Sequence, residues 1–474
     1  MPPAKAASES LYSKGYRTWL LTVLLLMNVL NLADRQGMAA VAQAIKQDLK
    51  LSDGQMGIIQ GLGFAIFYTL FALPIARLAE RRSRVKIVSA ALVMFGIMVS
   101  LCSAAQGFWQ LLLFRIGVGV GDAGSVPPVA SLLADHYPME RRASVISIVW
   151  LGAPIGVVFG SMLGGWMAEH VSWRAAFIAI GAPGLIVAIL AVLTLREPPR
   201  GMSDLGPRPV GPPPSIAKVL GFLLAKPSVR HVLIGCALAA MGMNAIGQFF
   251  GQFLVRTFHI GFAEAGRLLS IVAAGAMASG LTLGGFGVDW AGKFDRRWYV
   301  WGPAIGLTLA TPLFMLGFAQ ATLINAVIIL VLAHVVLFVY YTPTLAIAQN
   351  SVGADMRASA AFVISLMFGL VGIGLGPTLL GFLSDRFAHN AFAMGDFATL
   401  CRNGAAPAGA ASQLADACKS ASAIGIKNAL IAVSLLFVWA AAHYVLAAKH
   451  LRADLDTHYA PPPRDAVPSM EGAA

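Results

Sequence analysis

Four charged residues, Asp34, Arg35, Arg115 and Asp122, stand inside stretches that are otherwise almost wholly apolar. Charges in hydrocarbon cost a few kcal/mol or more each, so by default they mark a pathway for ions or protons. Two of the four are acids that can take up a proton, and two are guanidiniums that can hold an anion bidentately. With both acids ionised the cluster sums to zero. One proton on Asp122 leaves it net positive and able to attract an anionic headgroup. Burial and a neighbouring guanidinium pull a carboxyl's proton affinity in opposite directions, which leaves such a group poised to titrate. The expected chemistry is proton coupling at Asp34 or Asp122 against anion binding at Arg35 and Arg115. The competing reading is a static ion-pair network, but small residues could build such a seam without buried charge.

Spacing supports the cluster. Arg115 and Asp122 are two helical turns apart on one face. Counted from the expected outer helix ends, Arg35 lies roughly 15 Å deep and the other two roughly 10 and 20 Å, so Arg35 falls between them and can pair with Asp122. Polar and aromatic residues extend the expected substrate lining. Asn28, Asn31 and Arg35 stack along one face of the first apolar run, and Asn244, Gln248 and Gln252 along the seventh. Gln60, Phe64, Tyr68 and Phe71 stripe the second run, and Tyr340, Tyr341, Phe362 and Phe368 stand in the tenth and eleventh. An aromatic lining favours an amphiphilic or aromatic ligand over a sugar.

The elements that must position these residues are membrane helices. The chain of 474 residues is 58% hydrophobic and 12% charged, against about 25% charged for a soluble domain. Apolar runs near 18–44, 54–78, 86–105, 109–134, 143–167, 174–195, 232–255, 266–288, 298–319, 323–348, 358–384 and 424–448 predict twelve spans. They are far longer than the roughly ten residues of a barrel strand. The polar start, with no small-residue cleavage site, predicts that the first run is retained. Counting Lys and Arg by alternate loops gives 23 on the side of the termini and 9 on the other. That bias predicts both termini in the cytoplasm of a bacterial-type inner membrane, and it accounts for the net charge of +12 without nucleic acid.

An internal repeat divides the chain. The loop Ala76-x-Leu78-Ala79-Glu80-Arg81-Arg82-Ser83-Arg84 recurs in outline as Gly285-x-x-x-Asp289-x-x-Gly292-Lys293, 209 residues on, and Arg142-Ala143-Ser144 recurs as Arg357-Ala358-Ser359, 215 residues on. Two parallel halves with a binding site between them near the midplane are a transporter plan. The expected organisation is a cytoplasmic N-terminus (1–17), a six-helix half (18–195), a cytoplasmic linker rich in proline (196–230), a second six-helix half (231–448) carrying a periplasmic loop (385–423), and a polar, disordered tail (449–474). The fold class is thus all-α, with twelve transmembrane helices in two pseudo-symmetric halves.

The loop from Ala76 to Lys86 resembles the signature loop of the major facilitator superfamily, with Ala76, Glu80 and Ser83 in place of its usual Gly, Asp and Gly. The run Gly152-x3-Gly156-x3-Gly160-x3-Gly164-Gly165 resembles the glycine motif of the antiporters, and its four-residue period permits close helix contact. Asn31-Leu-Ala-Asp34-Arg35 and Gly119-Val-Gly121-Asp122-Ala123 are similar to the spinster family, which usually has Glu at the position of Asp122. That resemblance implies export of lysophospholipid or sphingolipid phosphate by alternating access.

The repeated acids and bases Glu80, Arg81, Arg84, Arg142, Asp289, Lys293 and Arg357 are expected to form ion-pair latches between helix ends on the cytoplasmic side, made in one access state and broken in the other. Cys401 and Cys418 share one loop on the oxidising side and are expected to be bridged, whereas Cys102 and Cys236 lie in apolar runs as packing residues. No metal motif, nucleotide loop, nucleophile elbow or catalytic residue set is present, so no metal, cofactor or enzymatic activity is expected. The expected partners are the lipid bilayer, a small-molecule substrate and protons, for a monomeric secondary transporter. Uptake of organic or aromatic carboxylates is the alternative, and a receptor without flux the less favoured one.

Overall fold

In hydrocarbon no water can serve a free N–H or C=O, so a spanning segment must satisfy its backbone internally. The computed structural model describes residues 12–137, 139–199, 216–352, 357–401, 404–407 and 409–456. Among these there are helices and no strand. Twelve helices are long and apolar enough to cross a membrane: Lys14–Leu49, Asp53–Ala79, Arg84–Cys102, Phe108–His136, Ser144–His170, Trp173–Thr194, Pro227–Phe258, Phe262–Gly292, Trp298–Ala319, Leu323–Asn350, Phe362–Ala391 and Ser412–Ala448. They are called the first to twelfth spans. Twelve crossings bring both chain ends to one side, here the terminal side; the other is the distal side.

Several helices outrun their apolar cores, because hydropathy registers only the part that lies in lipid. The first span continues to Leu49 and the seventh starts at Pro227, within the expected linker. A further helix, Ile216–Ala225, precedes it. The eleventh and twelfth spans reach into the expected loop from both sides, to Ala391 and from Ser412. The rest of the linker and the tail beyond Asp456 lie outside the described residues. Serines start four of the helices: Ser13, Ser52, Ser83 and Ser172 accept the backbone N–H of Tyr16, Gln55, Lys86 and Ala175. Each such cap contributes about 1 kcal/mol.

Each half has its own core. One gathers residues of the first six spans, among them Met27, Phe95, Val118 and Phe177. The other gathers Phe249, Phe253, Phe314 and Phe437 of the last six. Large apolar side chains such as Trp109, Leu193 and Phe286, all at least 75% exposed, face outward as lipid-facing residues must. The glycines of the fifth span lie against the first. A Cβ on Gly160 would stand 2.2 Å from the carbonyl oxygen of Ala33, so only glycine allows this approach, one residue before Asp34. Gly165 and Gly266 do the same between the fifth and eighth spans, where the halves meet.

Several spans are broken, the eighth by π-turns at Ile271–Gly275 and Leu283–Gly287 and the tenth after Phe338, and some of the breaks lie near the buried charges. The second span is interrupted at Gly61, with φ −106° and ψ −97°. The fourth breaks between Ala123 and Val126, just after Asp122. The eleventh widens into a π-helix over Met367–Leu375. Such irregular turns recur at functional seams.

Candidate functional site

The four buried charges form two ion pairs between the first and fourth spans. Asp34 and Arg35 are neighbours, so their side chains leave the helix about 100° apart and cannot share one environment. Arg115 Nη1 donates to both carboxylate oxygens of Asp34, at 2.9 and 2.8 Å. This pair is sealed, with side-chain exposures of 2% and 1%. Arg35 Nη2 donates to Asp122 Oδ2, and here the arginine side chain is 23% exposed. The Phe64 ring lies between the pairs, with the Arg35 guanidinium 4.6 Å and the Arg115 guanidinium 5.7 Å from its centroid. Tyr68 stacks on Phe64 and is 5.7 Å from Arg35. Gly119 lets the second span come this close, since a Cβ there would stand 2.6 Å from the Phe64 carbonyl oxygen. Asn31 donates to Ser125 Oγ at 3.0 Å, while its own Oδ1 is buried without a partner.

Across the interface the second half supplies polarity without charge. Asn244 stands 209 residues after Arg35 and donates to the carbonyl of Ala240 at 2.9 Å. The π-helical stretch of the eleventh span approaches Tyr68, as a Cβ on Gly369 would lie 4.0 Å from its ring. Gln248 and Phe362 are half-buried. Other expected lining residues turn into the protein. Gln60 is buried beside the Gly61 break and donates to Met56 O at 3.4 Å. Asn28 faces the fifth span at Gly152. Tyr340 is fully buried in the second-half core, after the turn that follows Phe338 and edge-on to Tyr341.

The expected latch residues make the following contacts in this one arrangement of the halves. Arg84 is buried and binds only its own half. It donates to Asp135, to Glu197 Oε1 at 2.8 Å, to Ser131 Oγ at 2.9 Å and to Pro198 O at 3.1 Å. It staples the ends of the third, fourth and sixth spans. Asp289 accepts from Tyr299 of its own half at 2.8 Å, and Arg142 Nε donates to Tyr137 O at 3.2 Å. Arg81 and Lys293 are exposed. The side chains of Glu80 and Arg357 lie outside the described residues. Repeated spacing showed that these positions correspond between halves, and correspondence does not require contact.

Among the described residues, buried ion pairs tie the halves on the distal side. Asp53, the first residue of the second span, accepts from Lys46 Nζ at 2.6 Å, from Arg256 Nη1 and Nη2 at 2.7 and 2.6 Å, and from Ser384 Oγ at 2.6 Å. Arg256 also donates to Gln43 Oε1 and Gln252 Oε1, both at 2.7 Å. Lys46, Asp53 and Arg256 are all less than 10% exposed. Asp385 of the eleventh span accepts the backbone N–H of Asp53 at 3.0 Å and of Gly54 at 2.7 Å, capping the second span from the opposite half. Glu169 of the fifth span does the same for the eighth, accepting the Ala263 N–H at 2.7 Å. Carboxylates suit helix N-termini because the unpaired N–H groups and the helix dipole converge there. Glu169 and Asp385 are 216 residues apart, and Gln43 and Gln252 are 209 apart, so the lock obeys the internal repeat. Sequence reasoning counted Lys46 and Arg256 among the outer-loop residues; extending the repeat to that side pairs Gln43 with Gln252, which both meet Arg256.

Cys401, after the eleventh span, and Cys418, in the first turns of the twelfth span helix, form a disulfide with Cα atoms 5.4 Å apart, packed with Phe392, Phe397 and Ala421.

Comparison with known proteins fits this geometry. The model of the Major Facilitator Superfamily matches residues 24–377. A crystal structure of a bacterial homologue of the human lysosomal transporter Spinster, inward-facing and unoccupied, superposes with a TM-score of 0.86 at 32% identity, covering 94% of this chain and 99% of that one. An MFS-type efflux pump of Mycolicibacterium smegmatis is 31% identical over 79% of this chain and 86% of its own length. Protein spinster homolog 1 of Rattus norvegicus is 27% identical over 80% of this chain and 75% of its own.

Proposed function

The chain belongs to the major facilitator superfamily and is spinster-like within it, and from that premise we propose that it is a proton-coupled secondary transporter moving an anionic, amphiphilic, lysophospholipid-like molecule across the inner membrane by alternating access. The observation that carries this reading is the inequality of the two ion pairs. Asp34–Arg115 is sealed, whereas Arg35–Asp122 is partly open. A proton arriving on Asp122 neutralises the acceptor that occupies Arg35, and the freed guanidinium N–H groups can then take a phosphate or carboxylate bidentately. Deprotonation of Asp122 restores the pair and displaces the anion. Protonation alone leaves the pair net positive, and the bound anion brings the site back to neutral, which keeps a buried unpaired ion from persisting. Phe64 and Tyr68 offer an apolar wall beside the cation for the substrate's hydrocarbon. Asp34, locked to Arg115, holds the first and fourth spans in register and is the second proton candidate.

The distal lock and the basic termini support a conformation closed toward the periplasm, with both chain ends in the cytoplasm. The test is flux in proteoliposomes with a radiolabelled lysophosphatidylglycerol and an imposed pH gradient. The wild type should move it in proportion to the gradient, and Asp122→Asn should lose at least about tenfold of that dependence. Proton-dependent flux retained in Asp122→Asn would remove Asp122 as carrier. Flux of an aromatic carboxylate with no lysolipid movement would favour the carboxylate reading instead.

A further inference from the structure

The second half carries a groove on its lipid-facing flank, away from the central cleft. It lies between the ninth and twelfth spans, has a volume of about 330 Å³, and is walled by Trp298, Trp301, Ala304, Ile305, Leu309 and Val445. Of its wall residues, Thr308 spends its hydroxyl on the carbonyl of Ala304 at 2.7 Å. Ile305 and Leu309 are about half exposed, as expected where hydrocarbon chains lie against a helix. The groove is therefore almost wholly apolar, with the indole N–H groups of Trp298 and Trp301 as its other polar wall atoms.

Its upper end has a different character. Trp298 and Trp301 meet edge to face, and paired tryptophans of this kind belong to the headgroup level of a bilayer. The guanidinium of Arg297 stands 6.0 Å from the Trp301 ring, and its Nε is buried without a hydrogen-bond partner. Lys449 is exposed one turn beyond Val445 on the same face of the twelfth span's end. The nearby acid, Asp295, is already engaged by Arg452 at 2.7 Å and by the Arg297 backbone N–H at 2.9 Å. An apolar slot thus opens at a cationic mouth whose local acid is occupied.

We propose that this groove is a binding site for one anionic phospholipid of the surrounding membrane, with an acyl chain in the slot and the phosphate on Arg297 and Lys449. A lipid so held would fill the seam between the ninth and twelfth spans without entering the transport path. The Arg297 guanidinium beside Trp301 and the exposed Lys449 ammonium are the cations a phosphate would meet, and together they select an anionic headgroup over a zwitterionic one.

Native mass spectrometry of the purified full-length protein, titrated in detergent with palmitoyl-oleoyl phosphatidylglycerol or the matching phosphatidylcholine, tests the site. The wild type should retain one phosphatidylglycerol with about tenfold preference over phosphatidylcholine. Arg297→Gln with Lys449→Gln should abolish the preference, and Thr308→Trp, which fills the slot from its exposed side, should remove retention while thermal melting stays within a few degrees of wild type. Equal retention of the two lipids by the wild type overturns the proposal, as does a preference that survives the Arg297→Gln/Lys449→Gln change. A dimer mass lost on Thr308→Trp would also overturn it, by assigning the groove to a second copy of the chain.

Discussion

The two ends of the interface between the halves are built from the same kinds of residue and use them differently. On the distal side a buried carboxylate, Asp53, is shared by Lys46 and Arg256, and two further carboxylates cap helices of the opposite half. On the terminal side the buried arginine, Arg84, is satisfied entirely by Asp135, Glu197 and carbonyls of its own half. A charge satisfied within one rigid half cannot report on the distance between halves. A charge satisfied across them must be rehydrated when they part. On the alternating-access cycle proposed above, the distal cluster acts as a switch element and Arg84 as a fold element, although both are buried and both pair with acids. Buried ion pairs add little net stability over an apolar contact, but removing one partner strands the other. That asymmetry makes the contrast testable.

The largest effect should follow Arg256→Gln. It leaves Asp53 with Lys46 and Ser384 but removes the two charge-assisted bonds from Arg256, each worth about 1.5–3 kcal/mol, a shift of more than about 100-fold between closed and open states. Spin labels at His170 and Lys419, both exposed at the distal side in opposite halves, should report a longer distance by electron–electron resonance. An unchanged distance distribution would break the comparison, by making the cluster as passive as Arg84.

Next in size is Arg84→Ala. It takes the guanidinium from Asp135 and Ser131, while Glu197, about a third exposed, can turn to water. The expected loss is about 2–3 kcal/mol of stability, read as a lower melting temperature in detergent, with the distance between distal labels unaltered. Movement of those labels would return Arg84 to a gating role.

How much of this was legible beforehand follows from where each residue sits. Asp34, Arg35, Arg115 and Asp122 stood out because a charge within a long apolar run has no ordinary explanation, and helical spacing gave the Arg35–Asp122 pairing. The twelve helices were legible for the same reason: hydrocarbon leaves few choices of backbone. The distal lock was not, because Lys46, Asp53 and Arg256 lie at the margins of their spans, where an ion at the aqueous surface and an ion between helices look alike. Tyr340 illustrates a third limit. Helical spacing placed it on an aromatic stripe, but the turn that follows Phe338 decides which way it faces.

The smallest expected effect concerns pH and separates the two ends once more. Burial pushes the Glu197 carboxyl up, but hydrogen bonds from the Val85 N–H, Arg84 and Ser83 outweigh it and hold the group below its ordinary value of 4.5. A depressed carboxyl adds stability that is fully present above its unfolded value and is lost as pH falls through the folded one. The terminal-side staple should therefore weaken only below about pH 4.5. Glu197→Gln should flatten that acid limb of the melting curve by a degree or two and leave the neutral region nearly unchanged. The distal label distance should not follow the same titration, because Glu197 makes its contacts inside one half. If distance and melting temperature fell together with acid, and both responses vanished in Glu197→Gln, the terminal side would be coupled to the lock after all, and the division between switch and fold elements would have to be redrawn.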